Sequence, residues 1–174
     1  MKWKKFTKDK RSTLSYWWWH NLAFNYTAIK CHAWKFKYIF HDIEKPILML
    51  LWRNYKKVQR YHRRHSNHHI EFPKYYQWDL EAMILDWECS QLTKAAAQLN
   101  ALDTLKATVV TGNPELYIND SVIRTSLIRR MPDILQKLRL IDYEEKIKLQ
   151  SDLIYNRQQV ELYNKEVYAK IKTR

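Results

Sequence analysis

His41-Asp42-Ile43-Glu44-Lys45-Pro46 sets an imidazole beside a carboxylate, just ahead of a proline suited to the first turn of a helix. Outward from this stretch the chain is dense in metal-ligand residues. All seven histidines lie between His20 and His69, and His62 and the run His65-Ser66-Asn67-His68-His69 follow the doublet. His20 falls within a helical stretch, His41-Asp42 at a helix junction, and Asp86 in the apolar run Met83-Ile84-Leu85-Asp86-Trp87. Ligands drawn from several successive helices converge on one point only inside a helical bundle, so the expected fold is all α.

Composition agrees. A single glycine, Gly112, and four prolines leave little material for hairpin turns, and they exclude a glycine-rich phosphate loop. A hydrophobic fraction of 46% with eight Trp and twelve Tyr speaks for a globular chain of 174 residues with a real core. Cys31 and Cys89 are too few for a disulfide framework and read as small core residues in a reducing compartment. The N-terminus, Met1-Lys2-Trp3-Lys4-Lys5, has no apolar run of the signal-peptide kind, so a cytoplasmic protein is expected. Pro46 to Trp52 is far shorter than the roughly twenty apolar residues of a membrane span and reads as core.

The net charge of +13 is unevenly placed. Residues 1–75 carry 17 Lys or Arg against 4 acids, whereas residues 76–174 carry 14 of each. The excess positive charge thus sits with the histidines and suits a phosphorylated small molecule, a nucleic acid or an anionic membrane surface.

Three regions are expected: a basic arm over 1–12, a metal-binding helical domain over 13–108, and a helical extension over 109–174 packed on the same domain. Ser12 or Thr13 can cap the first helix, whose apolar residues Leu14, Trp17, Trp18, Leu22, Phe24 and Ala28 predict a broad buried face. A second helix is predicted over 32–40, a third from Pro46 through Trp52 to about Arg64, and a long one over 77–105 with Leu80, Ile84, Trp87, Leu92 and Ala95 to Ala97 inward. Thr111-Gly112-Asn113-Pro114 is the clearest loop. Beyond it, Asn119 or Asp120 caps a helix to about Arg130, Pro132 restarts one, and a charged helix over 142–172 turns Ile147, Leu153, Ile154, Val160 and Val167 inward. Its apolar positions hold no strict heptad and specify no oligomer.

The ordered set His20, His41-Asp42 and Asp86 resembles the HD superfamily of metal-dependent phosphohydrolases, and Lys45 completes an HD-x-x-K variant of that pattern. With the later His62, the His68-His69 doublet and Asp86-Trp87, the chain is similar to a small phage and bacterial HD-like family of unknown function. The resemblance spans about residues 14–92, and its HD-x-x-K stretch departs from the pattern at Glu44, where a carboxylate would crowd an approaching anion. It implies hydrolysis of a phosphate ester, with nucleotides as the expected substrates. Imidazole and carboxylate donors suit Mn, Fe, Co, Ni or Zn. One ion would take His20, His41, Asp42 and Asp86, and a second would share Asp42 with His62, His68 and His69. Lys45 would reach a phosphate oxygen, and Arg63 and Arg64 would widen the anion pocket.

Simpler readings stand beside these. Asp79, on the same helical face as Asp86, competes for its role, and His32 is expected to take no part. The choice among His62, His65, His68 and His69 is open on spacing alone. Trp17-Trp18-Trp19 points in three directions on a helix and suits packing better than base stacking. An HD-type di-iron oxygenase would use nearly the same ligands. A catalytically idle scaffold would instead bind nucleic acid or a protein partner through the basic half, and a membrane-surface role would rest on residues 1–11.

Overall fold

A computed structural model describes residues 3–96, 99–109 and 121–155. Among these residues the protein is all α, and the only bridge of β type is an isolated one between Phe6 and Lys94. No helix of the described residues is long and apolar enough to cross a membrane. The chain falls into two compact units, 1–101 and 102–174.

The first unit is organised by α1 (Leu14–Lys30) packed against α4 (Leu80–Thr93). Thr13 caps α1 as expected, its hydroxyl accepting from the Tyr16 amide at 3.1 Å. The face that α1 buries is Tyr16, His20, Ala23, Phe24, Thr27 and Ala28, spaced by three and four residues. The predicted face included Leu14 and Trp18, which are 58% and 57% exposed. Six aromatics and five aliphatics crowd this helix, and only neighbours remote in sequence decide which of them face inward.

Between these helices lie α2 (Glu44–Trp52) and α3 (Tyr55–His65). They replace the single helix expected to run through to Arg64. Arg53 adopts a left-handed conformation and Asn54 caps α3 by accepting from the Lys57 amide, so the chain turns at the Arg53-Asn54 step. Pro46 does occupy the first turn of α2. That helix is not core, however: it buries no residue, and Leu50 and Leu51 are each 71% exposed. The run over 32–40 contracts to a short 3-10 helix, Phe36–Phe40.

The basic arm is docked. Phe6 is buried, donates its amide to the Thr93 carbonyl at 2.7 Å and accepts from the Ala95 amide at 2.9 Å, which pins it over the end of α4, while Trp3 packs on Trp19 and Tyr26. A 3-10 helix, Lys8–Ser12, then leads into α1. The long helix expected over 77–105 ends at Thr93, and Ala95 and Ala96 are exposed. Asp79 starts it by accepting from the Ala82 amide at 3.1 Å.

The second unit contains α5 (Ala101–Val109), α6 (Ser121–Lys137) and helical residues 143–155. Pro132 does not restart a helix but lies inside α6. Burial of Leu127, Met131 and Leu135 along one face holds the helix together across the amide that proline lacks. Asp142 and Glu145 cap the last helix reciprocally, at 2.8 and 3.0 Å. It buries Leu149 and Leu153, while Ile147 and Ile154 are half exposed. The loop at 111–114, the caps at 119–120, and Val160 and Val167 lie outside the described residues.

Candidate metal centre

The His41-Asp42 doublet sits in a turn that α1 holds by its polar side chains. The Asn21 amide donates to the carbonyls of Ile39 and His41 at 3.1 and 3.0 Å, the Trp17 indole to His41 at 3.3 Å, and Asn25 to Tyr38 at 2.9 Å. The His41 ring stacks on Phe24, with centroids 3.6 Å apart. Asp42 has φ 59°, a left-handed conformation that Asp tolerates better than most residues. This turn sends the carboxylate inward, where it is 4% exposed, and lets the Asp42 carbonyl accept from the Lys45 amide at 3.0 Å to begin α2.

Around Asp42 the fold gathers seven expected residues from five places: His20 on α1, His41 and Asp42 in the turn, His62 on α3, His68 and His69 in the following loop, and Asp86 on α4. His62 Nε2 and His68 Nε2 lie 3.2 and 3.3 Å from Asp42 Oδ1. On the other side His20 Nε2 is 2.9 Å from Asp86 Oδ1 and 3.8 Å from Asp42 Oδ2, and His41 Nε2 is 3.8 Å from Asp86 Oδ1. Two groups of donor atoms can each hold a metal ion: Asp42, His62, His68 and His69, and His20, His41 and Asp42. Asp42 belongs to both.

Three atoms test whether such an ion fits. His41 Nε2, Asp42 Oδ1 and His68 Nε2 are sealed from solvent and make no hydrogen bond among the described residues. Buried polar atoms without partners are costly, and a cation among them supplies the missing interaction. His62 adds a second test. Its Nδ1 contacts the Glu44 carboxylate and Ser66 Oγ, the latter at 3.0 Å, so the proton belongs on Nδ1. The lone pair of Nε2 then faces Asp42 Oδ1 and, at 2.6 Å, His69 Nε2. Lone pairs aimed at one carboxylate oxygen repel unless a positive charge lies among them.

Protonation of these rings is disfavoured by their surroundings. Burial pushes His41 down to about 4 and outweighs the Asp42 and Asp86 charges. Burial likewise lowers His62, and burial with the neighbouring His68 and His62 holds His69 well below its ordinary value. His68 is the exception: burial lowers it, but the Asp42 carboxylate beside it prevails and raises it. For Asp42 burial alone would raise the carboxyl, yet His41, Lys45 and His62 together hold it well below the carboxylate range. The result is neutral rings at His41, His62 and His69 around ionised carboxylates, the state in which both ligate metals, with His68 alone favouring its proton.

Glu44, read from the sequence as an obstacle to an anion, turns instead to the back of His62, where it fixes ring and tautomer. Lys45 pairs with Asp42 Oδ2. Cys89 was read as a core thiol and is buried, but it also lies 3.9 Å from His20 Nδ1, and with His20 and Asp86 it forms a third group able to hold a metal. No spacing marked it, because α4 brings it to His20 only through packing on α1.

Other expected residues lie elsewhere. Arg63 is bonded to Glu71 at 3.0 Å on the exposed side of α3, and Arg64 shares that side. Both border a shallow depression lined by Tyr55, Lys56 and Arg60 and not the openings to Asp42. Asp79 is occupied as a helix cap and by Lys37 at 2.5 Å. His65 is exposed, with Nδ1 2.7 Å from the Tyr61 carbonyl, and His32 is exposed beyond the end of α1. Of the three tryptophans, Trp17 holds His41, Trp19 packs on Trp3, and Trp18 is exposed.

Asp42 is reached from two openings. One, of about 220 Å³, also exposes His20 and Lys45 between the N-terminal segment, α1, α2 and α3. The other, of about 390 Å³, exposes His41, Glu44 and His68. No protein-family profile, curated protein or solved structure matches the chain.

Proposed function

We propose that this protein is a metal-dependent hydrolase of phosphate esters, with nucleotides the first substrates to test. The observation that carries the proposal is the arrangement around Asp42 Oδ1: a buried carboxylate oxygen faced by the Nε2 atoms of His62 and His68, with His62 Nδ1 engaged by Glu44. The donor set of His20, His41, Asp42 and Asp86 on one side and Asp42, His62, His68 and His69 on the other suits Mn, Fe, Co, Ni or Zn. A bound ion would supply Lewis acidity toward a phosphoryl oxygen and a lowered pKa for water. The chain's own contributions follow from its geometry. Asp42 and Asp86 stay ionised, Glu44 keeps the His62 ring turned with Nε2 toward Asp42, and Phe24 fixes the plane of His41. Lys45 lies beside Asp42 at the mouth of one opening, where its ammonium can meet an anionic oxygen of the substrate.

The test uses protein purified without added metal, with elemental mass spectrometry followed by turnover of a phosphate-ester panel in Mn, for wild type and Asp42→Asn. Near-stoichiometric metal with turnover that needs Asp42 is the expected result. Bound iron with oxygen consumption and no ester hydrolysis would favour the di-iron oxygenase, which takes the same donors. Metal in neither protein would overturn the centre and leave a binding scaffold.

A further inference from the structure

The opening of about 220 Å³ has a composition that the metal centre does not explain. Its inner end is polar, formed by His20, Asp42 and Lys45, and its walls are largely apolar, from Tyr16, Trp17 and Met49 among others. Arg11 also lines it, entering from the 3-10 helix ahead of α1. Arg11 Nε is sealed from solvent and makes no hydrogen bond among the described residues. Tyr55 lines the same cavity as the two cations. Burial raises its phenol, and the charges of Lys45 and then Arg11 pull against that rise. Arg11 and Lys45 thus line one cavity whose walls are largely apolar, Lys45 already paired with Asp42 and Arg11 with its Nε unpartnered among the described residues.

The second opening has the opposite character for an anion. It carries Glu44 and Asp79, and its one lysine, Lys37, is already paired with Asp79. An anionic substrate is drawn to the Arg11 side. Ligand cavities for drug-sized molecules run to about 300–1,000 Å³, so the Arg11 cavity suits a smaller molecule or group.

We infer that this cavity is the substrate site, and that it takes a small phosphate monoester with one compact apolar or aromatic group: the phosphate between Arg11, Lys45 and the metal centre, the apolar group against Tyr16, Trp17 and Met49. The inference rests on the metal-dependent phosphoester reading and adds to it a substrate size, an apolar requirement and a second cation. Arg11 fills the role in the anion pocket that the sequence reading gave to Arg63 and Arg64. A guanidinium gives planar, bidentate contacts to phosphate, and inside an apolar wall its charge is weakly screened.

Phenylphosphonate and methylphosphonate carry the same charged group, resist hydrolysis and differ in the apolar body. Calorimetric titration of the Mn-loaded protein should find phenylphosphonate bound about tenfold or more tightly than methylphosphonate, for burial of a ring. Arg11→Ala should weaken both by about tenfold or more, with metal content by elemental analysis unchanged. Leu50 is 71% exposed at the cavity rim, so Leu50→Trp should fold normally, and it should weaken phenylphosphonate far more than methylphosphonate. Equal binding of the two ligands by wild type, or unchanged binding by both variants, would overturn the inference while leaving the metal centre standing. Absence of metal from wild type would overturn the metal reading instead. Arg11-dependent binding of phenylphosphonate by that metal-free protein would still uphold the cavity.

Discussion

Asp42 Oδ1 and His68 Nε2 face each other at 3.3 Å, both sealed from solvent and neither in a hydrogen bond among the described residues. Metal-free, the pair is relieved by a proton, since against burial the Asp42 carboxylate raises His68, and a bound cation would take that proton's place.

Asp42→Asn is the cleanest disruption, since Asn tolerates the left-handed backbone at φ 59° as well as Asp does. The variant should fold with a far-UV spectrum like wild type, yet lose about a hundredfold or more in metal affinity, measured by competition with a chromogenic chelator. Asp42→Ala should lose metal too, with an added backbone cost of about 1 kcal/mol.

Glu44 touches no expected ion but holds His62 Nδ1. Glu44→Gln should lower metal affinity about 10- to 100-fold, the usual effect of removing the carboxylate behind a ligating histidine. Chelator competition on this variant should fall between wild type and Asp42→Asn. An affinity equal to wild type would mean that His62 needs no such partner.

The metal-free protein should lose stability as pH falls from 7 to 5. His41 has an ordinary value of 6.5 and is pushed by burial to about 4. Above pH 6.5 the ring is neutral in both states, and below it the unfolded chain takes a proton that the folded site refuses until about pH 4. His62 and His69 are lowered as well and add to the loss, whereas the raised His68 contributes fully by pH 6.5 and changes little below it. For His41 alone the loss can reach about 3 kcal/mol by the bottom of its range, with part of it present at pH 5. Urea midpoints at pH 7 and pH 5 decide the matter, and a higher midpoint at pH 5 would contradict it.

Phe6→Ala should destabilise the protein by about 3–5 kcal/mol, as large core truncations do. Phe6 is 4% exposed and meets the Tyr16 ring edge-on at 5.5 Å, and Tyr16 in turn stacks with His20. A mobile arm would give a change below about 0.5 kcal/mol. Chemical denaturation followed by tryptophan fluorescence distinguishes the two.

Arg63→Ala and Arg64→Ala should leave turnover within about twofold of wild type. Both residues are exposed on α3, and the one partner resolved there is Glu71, whose pair with Arg63 is a surface ion pair worth less than about 1 kcal/mol. A tenfold loss of kcat/KM in either would return them to the substrate site.

The legibility of this chain differs by kind of feature. The helical class, the cap at Thr13, Pro46 in a first turn and the buried thiols could be read locally, because each depends on residues a turn or less apart or on plain composition. Helix lengths were read too long where one residue breaks the chain: Arg53 turning left-handed, and the end of α4 at Thr93 under the docked Phe6 segment. Proline misled in the other direction, since Pro132 is held within α6 by an apolar face that a local rule does not weigh.

For the centre, sequence by itself determined which residue types are present and their order, and it left the choice among His62, His65, His68 and His69 open. Tertiary structure alone decided that Glu44 backs His62, that Cys89 adjoins His20, that Asn21 and Trp17 hold the doublet, and that Arg11 rather than Arg63 lines the cavity at Asp42. The reason is physical. Ligand identity is a property of side-chain chemistry and survives in one dimension. Support and access depend on distances between segments dozens of residues apart, and those are set by the packing of α1 on α4 and the turn at Asp42.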